Sequence, residues 1–298
     1  MTRDGTPALR VFVFGAGKVG AGLSRALRRA SVSVVLRPAR RGWPKRRIDA
    51  EIVVIAVRDG AIAGAAEELV RRGLIGHRRV AVLHCAGALG PEALAGVRSA
   101  RVAVAQMHPM IAFASSAWSP ELTRGQLHVD GDPAAVRAAR LLGRRLGMTP
   151  RTIPRLDRVA YHAAAGLVAN GAAALAGGGV ALLERAGIDR KVAGAMLGPL
   201  LRSVAENVEH LGLPAALTGP VRRGDAAAIR KHLDTLQRLA PDLVAAYAAT
   251  ARVQLPLARE LAEAPAASFE AIEAHLANAS EGDGERGSPT HVDHCSSA

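Results

Sequence analysis

Aromatic residues are scarce in this chain of 298 residues: four Phe, two Tyr and two Trp make up 3% of it. That scarcity excludes an aromatic platform on which nucleic-acid bases could stack. It also means that the core must be built from Ala, Val, Leu and Ile. Cysteine is scarcer still. Cys85 and Cys295 lie far apart, which excludes a disulfide framework. Lysine occurs only at positions 18, 45, 191 and 231, and every other basic residue is arginine. No uninterrupted apolar stretch reaches the roughly 18 residues that span a bilayer. The opening "MTRDGTPALR" lacks the apolar run of a signal peptide. The expectation is a cytoplasmic protein without a membrane partner.

The formal net charge is +13. A nucleic-acid binder with that charge would show steep salt dependence. Here, however, the arginines are spread along the chain, and only "RPARRGWPKRR" (37–47) is dense. Zinc-finger spacing is also absent. We read the charge as background composition plus a local anion site, with no specific nucleic-acid partner. Hydrophobic residues form 49% of the chain, enough to build the cores of two domains.

Residues 9–153 alternate short β-like runs with helical stretches. The β-like runs are 9–14, 32–36, 51–57, 79–84, 101–106 and 126–130, and the helical stretches include 18–30, 60–72 and 133–146. Apolar strands separated by helices predict a parallel sheet covered on both faces, an α/β domain. Residues 154–277 contain no convincing strand. Helical patterns run over 157–186, 189–211, 225–239, 241–263 and 268–277, predicting an all-α substrate or dimerisation domain, with a break near the triple glycine 177–179. Residues 278–298 are polar and rich in Gly and Ser, and are expected to be disordered. His291, His294 and Cys295 in that tail are too few to make a metal site, and none is expected.

"VFVFGAGKVG" (11–20) ends a predicted strand and opens a predicted helix, the context that a dinucleotide-binding turn requires. Gly15 makes the tight turn. Gly17 lets a pyrophosphate approach the backbone, and Gly20 lets the helix pack on the strand. Ala16, Lys18 and Val19 complete the turn, whose free N–H groups suit an anion. An NAD site usually places an acid at the end of the second strand. This chain has Arg37, with Arg40 and Arg41 after it, and arginine can grip a 2′-phosphate. NADP is therefore expected ahead of NAD. Val57, Arg58 and Asp59 follow the third strand and are candidates to line the cofactor, or Asp59 caps the next helix. His84 and Gly87 follow the fourth strand, at the edge where ligands bind such sheets.

Three polar clusters interrupt apolar sequence downstream. "QMHPMIAF" holds His108. "YHAAAGLVAN" puts His162, Gly166 and Asn170 four residues apart, on one helix face. "ALTGPVRRGD" gathers Thr218, Arg223 and Asp225. Hydride transfer to a carbonyl or imine needs a proton donor and an orienting polar group. His108 or His162 suits the first role and Asn170 the second. Arg223 is a candidate clamp for a substrate carboxylate. Against this stand plainer readings: backbone-bonded histidines, an interhelical bond for Asn170, and a helix cap for Asp225.

"VFGAGKVGAGLSRAL", "VLHCAGAL", "HPMIAF", "YHAAAGLVAN" and "ALTGPVRRGDAAAIRKHL", in this order, resemble a family that joins a Rossmann-like domain to domain of unknown function 2520. The resemblance covers residues 9–260 and implies an NAD(P)-binding oxidoreductase. More distantly the chain is similar to the β-hydroxyacid dehydrogenase, ketopantoate reductase and pyrroline-5-carboxylate reductase group, whose helical domain often dimerises. In the first two branches a helix carries Lys-x-x-x-Asn. Asn170 matches the Asn, but Gly166 stands where the Lys would be. "HPM" (108–110) is also similar to a short motif of prephenate dehydrogenases. The resulting expectation is an NADP-dependent oxidoreductase acting on a small carbonyl, hydroxy or imino acid in an interdomain cleft, dimeric through its helical domain. The alternative is a non-catalytic NADP-binding sensor or scaffold, which the missing Lys favours.

Overall fold

A computed structural model describes residues 9–281. The chain forms two compact units, divided between Ala169 and Asn170.

The first unit is a seven-stranded sheet. Its strands are β1 (Arg10–Phe14), β2 (Ser33–Arg37), β3 (Ile52–Ile55), β4 (Val80–His84), β5 (Val102–Pro109), β6 (Gln126–Gly131) and β7 (Thr149–Arg151). Their spatial order is β2-β1-β3-β4-β5-β6-β7. Helices α1 (Lys18–Arg29), α2 (Ile62–Arg71) and α3 (Pro133–Arg145) connect them. The alternation of side chains along each strand splits the core in two. Val11, Val13, Ile52 and Val54 pack with Leu23, Leu27 and Leu142 on one face. Phe12, Phe14, Val53 and Ile55 pack with Trp43, Ile62 and Leu69 on the other. Both faces are covered, which is why these strands read as unbroken apolar runs.

The sheet departs from the expected all-parallel form at one pairing. β5 and β6 run antiparallel, because residues 110–125 contain no crossover helix to carry the chain back. β7 had no counterpart in the sequence reading. It is short and contains Pro150, which an edge strand tolerates because no second neighbour needs its missing N–H.

The second unit contains the C-terminal part of α4 (Arg158–Arg185) and then α5 (Arg190–Leu211), α6 (Ala226–Leu239), α7 (Val244–Leu261) and α8 (Ala266–Glu281). Its core joins Ile229, Leu233 and Leu236 of α6 to Val244, Ala248 and Leu255 of α7 and to Phe269, Ile272 and Leu276 of α8. The Asp189 carboxylate caps α5 by accepting from the N–H groups of Lys191 and Val192.

The break expected near residue 177 is absent, and α4 is continuous. A Cβ on Gly178 would lie 3.2 Å from Leu243, and one on Gly179 would lie 3.0 Å from Leu197. The glycines thus serve close approach, and packing outweighs their poor helix propensity. Residues 278–281, expected in the tail, belong to α8. Residues 282–298, with His291, His294 and Cys295, lie outside the described residues.

Helices α4 and α5 are unusual in their exposure. No residue of α4 is buried, and Ala193 alone is buried in α5. By length and composition α4 is apolar enough to cross a membrane, although no uninterrupted apolar run of that length exists in the sequence.

Candidate cofactor cleft and histidine cluster

The strand register puts Phe14, Ile55, His84 and Gln106 in one row across β1, β3, β4 and β5. The residues that follow this row emerge at the carboxyl edge of four parallel strands. Gly15 comes first, with φ +114°, a conformation that disfavours any side chain. Its N–H donates to Arg37 O at 2.9 Å. A Cβ there would lie 2.2 Å from Ala56 O, and one on Gly20 would lie 2.0 Å from Gly15 O. Turn, strand and helix are therefore closed onto each other.

Gly17 differs from both. A Cβ there would meet nothing within 4 Å. Gly17 is the N-cap of α1, no side chain caps that helix, and its first turn has no acid. The positive end of α1 is thus left for an external anion. Beside it is a cleft of ≈ 520 Å³ lined by Gly15, Ala16, Gly17, Arg40, Val57 and Arg58, among others. These residues fit the pyrophosphate of a dinucleotide: the backbone is bare where the phosphates would lie, and two cations border the space. A larger hollow of ≈ 640 Å³, around Arg79, Arg98 and Arg101, flanks the starts of β4 and β5, away from the edge where ligands bind such sheets.

The three arginines after β2 do different work. Arg37 donates to the carbonyls of Gly42 and Arg41, so it braces the loop that follows it. Trp43 anchors the same loop, stacking on Phe14 at 3.7 Å and donating Nε1–H to Ala65 O. Arg40 is exposed and lines the cleft, whereas Arg41 is exposed and is not among the lining residues. Lys18 is exposed at the start of α1, and Val19 packs against the core. Asp59 is exposed. It caps neither the 3-10 turn that it opens nor α2, so the capping alternative fails.

His84 requires a correction as a cofactor contact. It is fully buried. Its Nδ1 accepts from Ala86 N–H at 3.2 Å, and its Nε2–H donates to Gly90 O at 2.9 Å. Both nitrogens are committed to backbone, so His84 pins the loop after β4 and is not available to a ligand. Burial pushes its pKa below the usual histidine value.

Gly87, two residues further on, sits between two imidazoles. A Cβ there would lie 2.7 Å from His162 Nδ1 and 2.8 Å from His108 Nε2. The buried Gln106 holds this loop, its amide donating to Ala86 O (2.7 Å) and Gly87 O (3.2 Å). The Gln106 carbonyl accepts from Arg158 Nε at 3.3 Å, and Arg158 also pairs with Asp130. His108 and His162 meet edge to face, with ring centroids 6.2 Å apart. Burial, and then the neighbouring His162, His128 and His84, lower the pKa of His108 to about 4. It is a neutral imidazole at physiological pH. His162 is exposed at the rim.

Tyr161, Gln106 and His128 complete this cluster and were not singled out in the sequence. A faint signal existed. Tyr161 is one of only two tyrosines, and Gln106 is a polar residue closing an apolar strand. Among the described residues, no group of His, Cys, Asp and Glu is arranged to hold a metal ion.

In the second unit, Asn170 is exposed. Arg223 is exposed too, and its neighbour Arg222 is the arginine engaged in the turn. Arg222 pairs with Glu263 at 2.6 Å and donates to Ala215 O and Leu217 O. Asp225 caps α6, accepting from Ala228 N–H at 2.9 Å, in line with its plainer reading.

The first unit is thus a Rossmann-like α/β unit with an anion-ready glycine turn, and the second is all-helical. Residues 126–254 match the model of DUF2520, a domain of unknown function. No curated protein matches the chain in sequence. Solved structures are similar across most of its length. A Thermotoga maritima protein is 20% identical, with TM-score 0.61, covering 84% of this chain and 98% of its own. A Bacteroides fragilis protein with an attributed role as NADP oxidoreductase is 21% identical, with TM-score 0.60 and coverages of 85% and 97%. Pyrroline carboxylate reductase from Plasmodium falciparum, solved with NADP bound, is 12% identical, with TM-score 0.57 and coverages of 89% and 100%. At these identities the likeness establishes the fold.

Proposed function

We propose that this chain is an NADP-dependent oxidoreductase that acts on a small carbonyl, hydroxy or imino acid. One observation carries the reading. A glycine turn shaped for pyrophosphate follows β1, and Gly87, flanked by the imidazoles of His108 and His162, follows β4 two places along the same carboxyl edge of the sheet. The dinucleotide, when bound, supplies or takes the hydride. The residues of this chain do the rest. Gly17 and the start of α1 hold the phosphates in a turn that Gly15 and Gly20 close, and Arg40 faces a 2′-phosphate. His108, with its low proton affinity, presents a neutral ring to the substrate, and His162 closes the rim. The similar structures of a pyrroline carboxylate reductase with NADP bound and of an NADH-preferring ketol-acid reductoisomerase support the reading.

Calorimetric titration with NADPH and NADH, followed by a turnover screen against 2-keto acids and cyclic imines, tests it. The expected result is tighter binding of NADPH, turnover of at least one substrate class, and loss of turnover in His108→Ala with binding retained. Tight NADPH binding without any turnover would favour the non-catalytic sensor. No dinucleotide binding at all would overturn both.

We also propose that two copies associate through α5. Val192, Met196, Leu200, Val204, Val208 and Leu211 recur at helical spacing and are 43% to 60% exposed. Leu201, next to this stripe on α5, is 41% exposed and adds to the apolar surface, and exposed apolar surface of this kind marks an interaction site. A second copy offers the same stripe and so is complementary in kind.

A further inference from the structure

We propose that Tyr161 is a positioning residue that fixes which nitrogen of His108 carries the proton, presenting Nε2–H to the site at Gly87. The inference rests on the reading of His108 as the residue that meets the substrate.

The two nitrogens of His108 have different surroundings. Nδ1 lies 3.1 Å from Tyr161 Oη. Nε2 faces the gap at Gly87, beside His162 Nδ1. The tyrosine and histidine rings meet edge-on, with centroids 5.4 Å apart. A neutral imidazole has one N–H and one acceptor nitrogen, and the bond made by one nitrogen decides the state of the other. In the Tyr161–His108 contact, either the phenol donates to Nδ1 or Nδ1–H donates to the phenol. A phenol is the better donor, and an imine nitrogen is the better acceptor. Burial raises the pKa of Tyr161, which keeps its proton on the oxygen. The bond therefore runs from Oη–H to Nδ1, and the ring proton sits on Nε2.

His128 makes this assignment firmer. It is 2% exposed, its ring centroid is 5.7 Å from that of Tyr161, and neither of its nitrogens has a hydrogen-bond partner among the described residues. It backs the phenol as a wall and does not engage the hydroxyl, whose partner is His108. The consequence is chemical. His108 offers the site a hydrogen-bond donor, suited to orient a carbonyl oxygen or an imine nitrogen in the reductive direction. A lone pair at Nε2 would instead suit proton abstraction.

Nitrogen-15 NMR of the full chain, labelled at the histidine rings and assigned with His108→Gln, tests this without cofactor or substrate. In the wild type, His108 Nδ1 is expected as an unprotonated, hydrogen-bonded nitrogen and Nε2 as the protonated one. Tyr161→Phe keeps the ring and removes the hydroxyl. Because the hydroxyl donates to the neutral form, its loss is expected to raise the pH at which His108 titrates. If Nδ1–H were the donor, the same substitution would lower that pH. A protonated Nδ1 in the wild type, or a titration of His108 that falls or stays put in Tyr161→Phe, would overturn the assignment. The wild-type spectrum decides even if the variant folds poorly. Failure to bind NADPH, measured separately, would remove the functional reading and leave the tautomer assignment standing.

Discussion

Gly17→Ala should separate folding from cofactor binding. The new methyl group meets nothing within 4 Å, and the backbone at φ −71° accepts alanine without strain. Two small effects on stability oppose each other. Alanine is a poorer helix N-cap than glycine, costing about 0.5–1 kcal/mol. Replacing glycine at a compatible conformation stabilises by about 0.4–1 kcal/mol, because the unfolded chain loses freedom. The net change should be within about 0.5 kcal/mol, or roughly 2 °C in Tm for a unit of this size. Binding is another matter. The methyl group occupies the approach of the pyrophosphate to the amides of α1, where each charge-assisted hydrogen bond contributes about 1.5–3 kcal/mol. Losing one such bond weakens NADPH about tenfold to a hundredfold. Gly15→Ala provides the contrast. At φ +114°, with Ala56 O at 2.2 Å from the new Cβ, it should destabilise the protein before any ligand is added, with about 1–3 kcal/mol lost to backbone strain alone. Scanning calorimetry and titration calorimetry on the two variants read both quantities. A Gly17→Ala protein that melts many degrees lower, or that binds NADPH like the wild type, would refute this account of the turn.

Arg40→Ala should weaken NADPH about tenfold and leave NADH nearly unchanged, because the side chain is exposed and its only expected partner is the 2′-phosphate. Equal losses for both dinucleotides would put Arg40 elsewhere. Acid should destabilise the protein early, since folding lowers the pKa of both His84 and His108. Unfolded histidines take up protons near pH 6.5 while the folded ones do not. This stabilisation is complete above about pH 6.5 and is lost as the pH falls toward the folded values, about 4 for His108. Tm measured from pH 7.5 down to 5 should drop, and drop less steeply in His108→Gln. Parallel slopes would show that His108 is not responsible. The proposed association through α5 predicts a dimer mass for the wild type and a monomer mass for Val204→Glu with little change in the helical spectrum, read by light scattering after gel filtration; equal masses for the two would refute it.

Much of the architecture can be read from local pattern, and the histidine cluster shows where that stops. The apolar runs of β1, β3 and β4 and the glycine spacing at 15, 17 and 20 are contiguous signals, each tied to a backbone requirement that only certain residues meet. Val57 and Arg40 could be expected beside the glycine turn because each follows a strand of the same sheet, and both line the cleft there. His84 and His108, by contrast, look alike in sequence, each a histidine near the end of a strand. Only the fold shows that the first is sealed by Ala86 and Gly90 and the second is aimed at Gly87. Tyr161 lies 53 residues from its partner His108, beyond the reach of any local motif. The triple glycine of α4 reads as a weak point by propensity, and two of its residues, Gly178 and Gly179, become contact points for Leu243 and Leu197 once α5 and the start of α7 are in place.

Taken alone, the sequence determined the class of the first unit, the helical nature of the second and the position of the glycine turn, because those depend on periodicity and on backbone conformations written into neighbouring residues. Tertiary structure alone decided which arginine borders the cleft, which histidine is free to act, and that a tyrosine stands behind it. Those are matters of burial and of hydrogen bonds between distant segments, and a side chain acquires them only when the strands that carry it are brought together.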